Sequence, residues 1–363
     1  MIESLIDRER LRRIGLTPRI AERLTAMPPL AGEPYPMRVI EVQREHLELH
    51  DGEARRAARV LPALLRALQA GDDALAVGDW VLAEAFANGE WWVHSRMPPL
   101  TQLSRRNHDG REKIMRQVIV SNIDIAMLVM GLDMDFSLRR LERYLALARL
   151  AGVGAVVVLT KADLCCDVPR RLQQVRGLLA PDDGLAAVNA LDDGSRDALR
   201  PWLRDGYTLV LLGSSGAGKS TLINTLGGEA IQRTGEARQG DGRGRHTTTS
   251  RSLRVLREGA CIIDTPGLRT LRLDADAASL DAVFGDIAQL QPQCRFRNCR
   301  HAEEPGCAVR GQVAAERLRN YHKLLRETRR DALSLRQRQD QRALWKSRAR
   351  DARRRAGEKR ESS

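Results

Sequence analysis

From residue 117 onward, the apolar positions gather into short unbroken runs separated by amphipathic stretches. VIVSNIDIAMLVMGL reads as one continuous apolar strand and GAVVVLT as a second, while LAAVNA, YTLVLLG and CIIDTPG supply three more. Runs without polar alternation mark strands buried on both faces. Between the first two lies SLRRLERYLALARLAG, in which Leu138, Leu141, Leu145 and Leu147 share one broad helical face. Strands alternating with helices predict a parallel sheet covered on both sides. Residues 37–106 have a different texture. MRVIEV, VGDWVLAEA and EWWVHSR are short β-rich runs punctuated by Gly, Asp and Asn, which predicts a small all-β barrel or sandwich. Within that region ARVLPALLRALQA is ambiguous and fits a helix. Residues 1–36 read as a short charged helical extension and a proline-rich linker, MPPLAGEPYP.

Composition narrows this picture. The 363 residues leave room for two or three domains, and 42% hydrophobic content can support real cores although aromatics are only 4%. No apolar run approaches the roughly 18 residues of a membrane span. The first residues, MIESLIDRERLRRIG, place charges where a signal peptide has its apolar stretch, so the expected location is cytoplasmic. The net charge is +13, and residues 317–363 alone carry 17 Lys and Arg against 6 Asp and Glu. Such a block favours a polyanion, in the cytoplasm usually nucleic acid; the alternative is a solvated helix that keeps the chain soluble.

Three motifs carry chemistry. YTLVLLGSSGAGKSTLINTL is a strand, a glycine-rich turn and a helix start, and it fits G-x-x-x-x-G-K-[ST]. In Gly213, Ser214, Ser215, Gly216, Ala217, Gly218, Lys219, Ser220 and Thr221, the glycines let backbone N–H groups turn inward around phosphates. The helix start adds its partial positive charge. Lys219 can reach the β- and γ-phosphates and Ser220 can bind Mg²⁺. In CIIDTPGL, 45 residues after Lys219, a strand delivers Asp264 to Mg²⁺ and the Gly267 N–H to the γ-phosphate. Between the two, GDGRGRHTTTS is a poor core segment with the composition of a switch; Thr248 is the threonine favoured for the metal.

The third motif is TKAD, residues 160–163, which follows the buried strand VVVLT. The Asp163 carboxylate can accept from guanine N1–H and N2–H₂ together, a donor pair adenine lacks, and the stem of Lys161 can lie over the ring. In most GTP-binding proteins the guanine motif follows the phosphate loop. Here it precedes it, so the chain reads as a circular permutation, which a parallel α/β sheet tolerates because its termini lie at the surface.

Near the C-terminus, Cys294, Cys299, His301 and Cys307 supply four ligands within fourteen residues. Three thiolates and an imidazole suit tetrahedral Zn²⁺ in a closed structural site, and a disulfide framework does not fit a reducing compartment. Arg295, Arg297 and Arg300 interleave these ligands and are candidates to meet phosphates. In the β-rich region Trp80, Trp91 and Trp92 are either core residues or platforms for base stacking.

The permuted order TKAD, GSSGAGKST, DTPG, with VGDWV before it and C-x₄-C-x-H-x₅-C after it, closely resembles the RsgA (YjeQ) family of bacterial GTPases that depend on the small ribosomal subunit. The resemblance spans residues 37–325. It implies a multidomain α/β chain: an N-terminal OB-fold β-barrel over 37–106, a central circularly permuted P-loop GTPase with a parallel sheet over 107–285, and a zinc-binding helical domain over 286–330. Residues 1–36 and the basic tail 331–363 flank them. It also implies late maturation of the small subunit, with GTP hydrolysis stimulated by that particle, and monomer is the default state. Thr160 stands where most GTPases have Asn, and Asn189-Ala190 stand where a Ser-Ala pair supports the base. Leu268 follows DTPG where Ras-like proteins carry a water-orienting Gln, so intrinsic hydrolysis should be slow. The resemblance points to His246 as the group that meets the attacking water; contact with RNA or solvent is the alternative.

Overall fold

The computed structural model describes residues 7–28, 30, 32, 34–43, 46–71, 73–108, 114–227, 251–265 and 283–332. The chain divides into two compact units, Met1–Ser104 with Val118–Leu271, and Arg105–Gln117 with Arg272–Ser363.

The first unit opens with helices α1 (Arg8–Arg12) and α2 (Pro18–Thr25). Both start on side-chain caps: Asp7 accepts from the Arg10 N–H, and Thr17 accepts from the Ile20 N–H ahead of Pro18. Leu11, Ile14, Ile20 and Leu24 then pack with Trp80 and Met97 in a small core. A five-stranded barrel follows: β1 (Tyr35–Val42), β2 (Leu47–His50), β3 (Arg55–Val60), helix α3 (Pro62–Ala70), β4 (Trp80–Ala85) and β5 (Trp91–Arg96). Antiparallel pairs β1–β2, β2–β3, β4–β5 and β1–β4 and the parallel pair β3–β5 close it as an OB-fold. The ambiguous run ARVLPALLRALQA divides at Pro62. The first three residues end β3, and the proline takes its place in the first turn of α3. Met37, Val39, Leu49, Val81 and Val93 fill the barrel.

Next come β6 (Gln102–His108) and β7 (Ile114–Ser121), a two-stranded ribbon, and then β8 (Ile125–Gly131). The apolar run VIVSNIDIAMLVMGL is therefore two strands, not one. The break falls at Asn122, whose φ of 52° few residues other than Gly and Asn adopt. Its side chain accepts from the Leu100 N–H at 2.9 Å and donates to the Gly78 carbonyl at 3.0 Å, which replaces the ladder bonds lost there.

The rest of the unit is α/β: α4 (Leu138–Leu150), β9 (Gly154–Thr160), α5 (Val168–Arg176), β10 (Gly184–Ala187), α6 (Gly194–Leu199), β11 (Thr208–Leu212), α7 (Lys219–Gly227), β12 (Ser252–Val255) and β13 (Cys261–Asp264). Strands run in the order β10-β9-β8-β11-β13-β12. The first five are mutually parallel and β12 is antiparallel to β13. Side chains of β8, β9, β11 and β13 are buried on both faces, the reason their sequences lack alternation. Barrel strand β1 pairs with β12 at Glu41 and Ser252, so barrel and α/β domain share one eleven-stranded sheet.

Arg38 sits where they meet. Met37 and Val39 face the barrel core, so Arg38 faces outward, yet it is fully buried. Its guanidinium donates to the carbonyls of Ile14 at 2.5 Å, Asn122 at 3.0 Å and Gly78 at 3.4 Å. It also lies over the Trp80 ring at 5.5 Å. Burial lowers its pKa, and burial pushes the neighbouring Cys261 thiol up to about 11, so this thiol stays protonated and does not neutralise the arginine.

In the second unit, α8 (Gly285–Leu290) and α9 (Ala315–Ala332) flank the cysteine-rich loops. Phe284 meets Tyr321 edge to face at 5.3 Å, and Arg317 forks onto Asp286 at 2.6 and 2.8 Å.

Candidate nucleotide site

Because β8, β9, β10, β11 and β13 are parallel, their carboxyl ends open on one edge, where α/β folds bind ligands. β11 ends at Leu212, and residues 213–218 turn into α7. At Gly213 a side chain would strike the Val129 carbonyl at 2.3 Å, so only glycine lets the loop lie this close to β8. Gly218 adopts a φ of 89° and faces the Thr160 hydroxyl. Lys219 arches back over the loop, donating to the carbonyls of Gly213 at 2.9 Å and Ser214 at 2.5 Å. Ser220 is exposed in the first turn of α7. β13 runs beside β11 with Ile263 level with Val210, which delivers Asp264 to the phosphate-loop edge. Thr265 donates to the Leu211 carbonyl at 3.0 Å and fixes the chain there. Gly267, Thr248 and His246 lie outside the described residues.

The base loop meets the phosphate loop directly. Thr160 is fully buried, and its hydroxyl donates to the Ala217 carbonyl at 2.6 Å. Lys161 takes a left-handed conformation, φ 58°, and Asp163 is exposed in the short 3-10 turn that follows. The Ala162 N–H donates to the Val188 carbonyl at 3.2 Å, setting Asn189 and Ala190 beside the loop. Thr225 of α7 closes the circuit by donating to the Ala190 carbonyl at 2.6 Å. Motifs about fifty residues apart in the chain thus share one bonded crevice.

Sequence reasoning missed the segment 131–136 after β8. Asp133 accepts from the Lys161 ammonium at 2.6 Å, and Asp135 accepts from the Ser214 hydroxyl at 2.5 Å. Partial burial raises the Asp133 pKa, but the bond to Lys161 and its charge outweigh this and hold the carboxyl below its ordinary range. The available signal was position alone: this loop follows a parallel strand at its carboxyl end, where ligands bind. A groove of about 720 Å³ lies at the opposite, amino edge of the sheet, lined by α1, α2, Asp124, Gly152 and Tyr207. It contains none of the nucleotide motifs.

In the second unit Cys294, Cys299, His301 and Cys307 bring their donor atoms within 4.8 Å of one another. His301 is buried, and its Nδ1 lies 3.6 Å from the Cys294 sulfur and 3.5 Å from the Cys307 sulfur. Tetrahedral bonds of about 2.3 Å to sulfur and about 2.0 Å to nitrogen place such atoms about 3.5 Å apart. The donor set and its spacing therefore fit a tetrahedral metal ion. The Arg310 N–H donates to the Cys307 sulfur at 3.4 Å, orienting that ligand.

Trp80 is fully buried under Arg38, which removes it as a base-stacking candidate. Trp91 and Trp92 are half-buried, with Arg56 and Arg59 over their rings at 5.8 and 5.9 Å. Among the described residues no helix is long and apolar enough to cross a membrane.

Fold and site together define a circularly permuted P-loop GTPase. The family model described as RsgA GTPase matches residues 97–274. The chain is 45% identical over 295 residues to the small ribosomal subunit biogenesis GTPase RsgA of Xanthomonas campestris pv. campestris (strain B100), covering 80% of this chain and 79% of that one. It is also 45% identical over 298 residues to the protein of that name from Xanthomonas axonopodis pv. citri (strain 306), covering 80% of each. Two solved structures share the fold. YjeQ from Thermotoga maritima has a TM-score of 0.60 at 22% identity, covering 82% of this chain and 99% of that one. YloQ, a circularly permuted GTPase, has a TM-score of 0.57 at 23% identity, covering 84% of this chain and 98% of that one. The chain belongs to the RsgA GTPase family.

Proposed function

We propose that this chain binds the small ribosomal subunit and hydrolyses GTP as a late-stage assembly checkpoint, with hydrolysis stimulated by the subunit. The observation that carries the nucleotide reading is the bond from Thr160 to Ala217, which joins the guanine motif to the phosphate loop. The biogenesis role rests on the name borne by relatives 45% identical over most of the chain.

In this reading Asp163 accepts from the guanine N1–H and N2–H₂, and Lys161 covers the ring, with Asn189 and Ala190 supporting the base through their backbone. The N–H groups of residues 213–221 surround the phosphates, and Lys219 reaches the β- and γ-oxygens. Ser220, Thr248 and Asp264 hold Mg²⁺, which when bound neutralises charge developing on the phosphate oxygens. The Gly267 N–H reads the γ-phosphate and His246 hydrogen-bonds the attacking water. Residues 37–106 and the basic tail 331–363 meet rRNA by shape and phosphate, residues 107–285 turn over nucleotide, and residues 286–330 fold around one structural Zn²⁺ held by Cys294, Cys299, His301 and Cys307. The protein acts in the cytoplasm as a monomer.

The test is GTP turnover with and without purified small ribosomal subunits, with ATP as the control nucleotide. Stimulation with GTP alone, lost in His246→Ala, is the expected result. GTP bound tightly but turned over at the same rate with subunits present would sink ribosome activation and leave a GTP-gated binder with another partner.

A further inference from the structure

The segment 131–136 between β8 and α4 has no role in the reading above, yet it bonds to both halves of the nucleotide site. Asp135 has both carboxylate oxygens engaged. Oδ1 accepts from the Ser214 hydroxyl at 2.5 Å and from the Arg140 guanidinium at 2.6 Å, and Oδ2 accepts from the Gly131 N–H at 3.2 Å. Arg140 also donates to the Asp135 carbonyl, and the Asp135 side chain is only 16% exposed. Its neighbour Asp133 grips Lys161 of the base loop. Ser214 is in turn held from its other side, because its carbonyl accepts from Lys219 at 2.5 Å.

We propose that Asp135 is a positioning residue for nucleotide binding, holding the phosphate loop in its binding shape through the Ser214 hydroxyl. This rests on the nucleotide-site assignment made above. An empty phosphate loop aims several N–H groups at one point with no anion to satisfy them, so it needs an external brace to keep that shape. A brace formed beforehand removes the ordering cost from the binding step. A bare carboxylate near a polyphosphate would repel it. Arg140 cancels that charge, which lets an acidic side chain serve where a neutral acceptor would be expected. Asp135 acts on Ser214 and not on the phosphates, so its loss should weaken binding of GDP and GTP alike and leave the chemical step unchanged.

The experiment titrates full-length protein with a fluorescent GDP analogue and measures kcat at saturating GTP. Asp135→Ala should weaken binding about tenfold with kcat within about twofold, because of the three bonds it removes the one to Ser214 is the charge-assisted bond that reaches the phosphate loop. Ser214→Ala should weaken binding to the same extent, and the double variant should be no weaker than the weaker single one, because both changes remove the Asp135–Ser214 bond. Asp135→Asn keeps an oxygen facing Ser214 and should recover binding to within about threefold of the original. Binding unchanged in Asp135→Ala, losses that multiply in the double variant, or a fall in kcat with unchanged KM would each overturn the proposal. Lys219→Ala separates the two assignments. If it binds as the original does, the nucleotide site itself is misplaced; if it loses binding while Asp135→Ala does not, only the brace fails. Should Asp135→Ala lack a cooperative thermal transition, Ser214→Ala decides. A loss there that Asp135→Asn does not deepen supports the brace, and a silent Ser214→Ala overturns it.

Discussion

The Thr160 hydroxyl and the Ala217 carbonyl are 2.6 Å apart in the interior, joining loops separated by 57 positions in the chain. Thr160 occupies the place where most GTPases have Asn, and its hydroxyl supplies one short donor from the base loop to the phosphate loop. Thr160→Val keeps the shape and removes the donor, stranding a buried carbonyl at a cost of about 1–3 kcal/mol. We expect GDP and GTP affinity to fall about tenfold in Thr160→Val and to change little in Thr160→Ser. Equilibrium titration of both variants checks this, and equal affinities for all three proteins would show that the loops are held together by other contacts.

Arg38 gives a stability prediction. Three backbone carbonyls from three segments converge on one fully buried cation. Taking a guanidinium out of water is costly, so the arginine is not there for its charge alone. Arg38→Met recovers that desolvation but removes the donor from the buried Ile14 and Asn122 carbonyls, while Gly78 keeps its bond from the Asn122 amide. Each buried acceptor left unsatisfied typically costs about 1–3 kcal/mol, so the variant should lose stability. Arg38→Lys should be intermediate, because an ammonium cannot reach three divergent carbonyls with the planar geometry of a guanidinium. Urea denaturation reads both; a methionine variant as stable as the original protein would mean that water replaces the arginine.

Local patterns made much of this legible from the chain alone. The phosphate loop, the base motif and the cysteine cluster each declare themselves within a few adjacent residues, and the parallel sheet declares itself through unbroken apolar runs. What the chain hid depends on neighbours distant in sequence. VIVSNIDIAMLVMGL reads as one strand, yet Asn122 ends one strand and precedes another, with its amide partnered at Gly78 and Leu100. Arg38 in MRVIEV reads as a solvent-facing position of a barrel strand. It is buried because α1, α2 and the α/β sheet cover the outer face of β1. Asp133 and Asp135 sit in GLDMDFS, which has the composition of an ordinary surface loop. Only the placement of β8 beside β11 brings Asp135 to Ser214, 79 residues away.

Asp79 predicts a pH dependence. It is buried, its carboxylate accepts from the Ala76 N–H at 2.8 Å, and Arg96 lies 3.6 Å away. Burial dominates and raises its pKa to about 6. Between the ordinary Asp value of about 3.9 and about 6, the folded state therefore binds more protons than the unfolded state. Stability from this group falls as pH rises through that window. Asp79→Asn removes the titration and keeps an acceptor for Ala76. Relative to the original protein, the variant should gain stability between pH 4 and pH 7, by on the order of 3 kcal/mol. Urea midpoints for both proteins across that range test it, and a constant difference would mean that Asp79 stays ionised throughout.

The cysteine cluster makes a prediction about folding and not about chemistry. All four donors belong to the protein, so a tetrahedral ion held there has no open position for substrate. Binding energy at a closed site is folding energy for the residues that carry the ligands. We expect one equivalent of zinc per chain, and Co²⁺ substitution should give the absorption bands of a tetrahedral thiolate site. Cys299→Ser should weaken metal retention more than about 100-fold. Chelation should abolish the cooperative unfolding of residues 283–332 while leaving GDP affinity unchanged, because the nucleotide motifs lie in the other compact unit. Calorimetry with and without chelator separates the two transitions. A protein that keeps both transitions after complete metal removal would show that the contacts of Phe284 with Tyr321 and Asp286 with Arg317 hold the unit together without an ion.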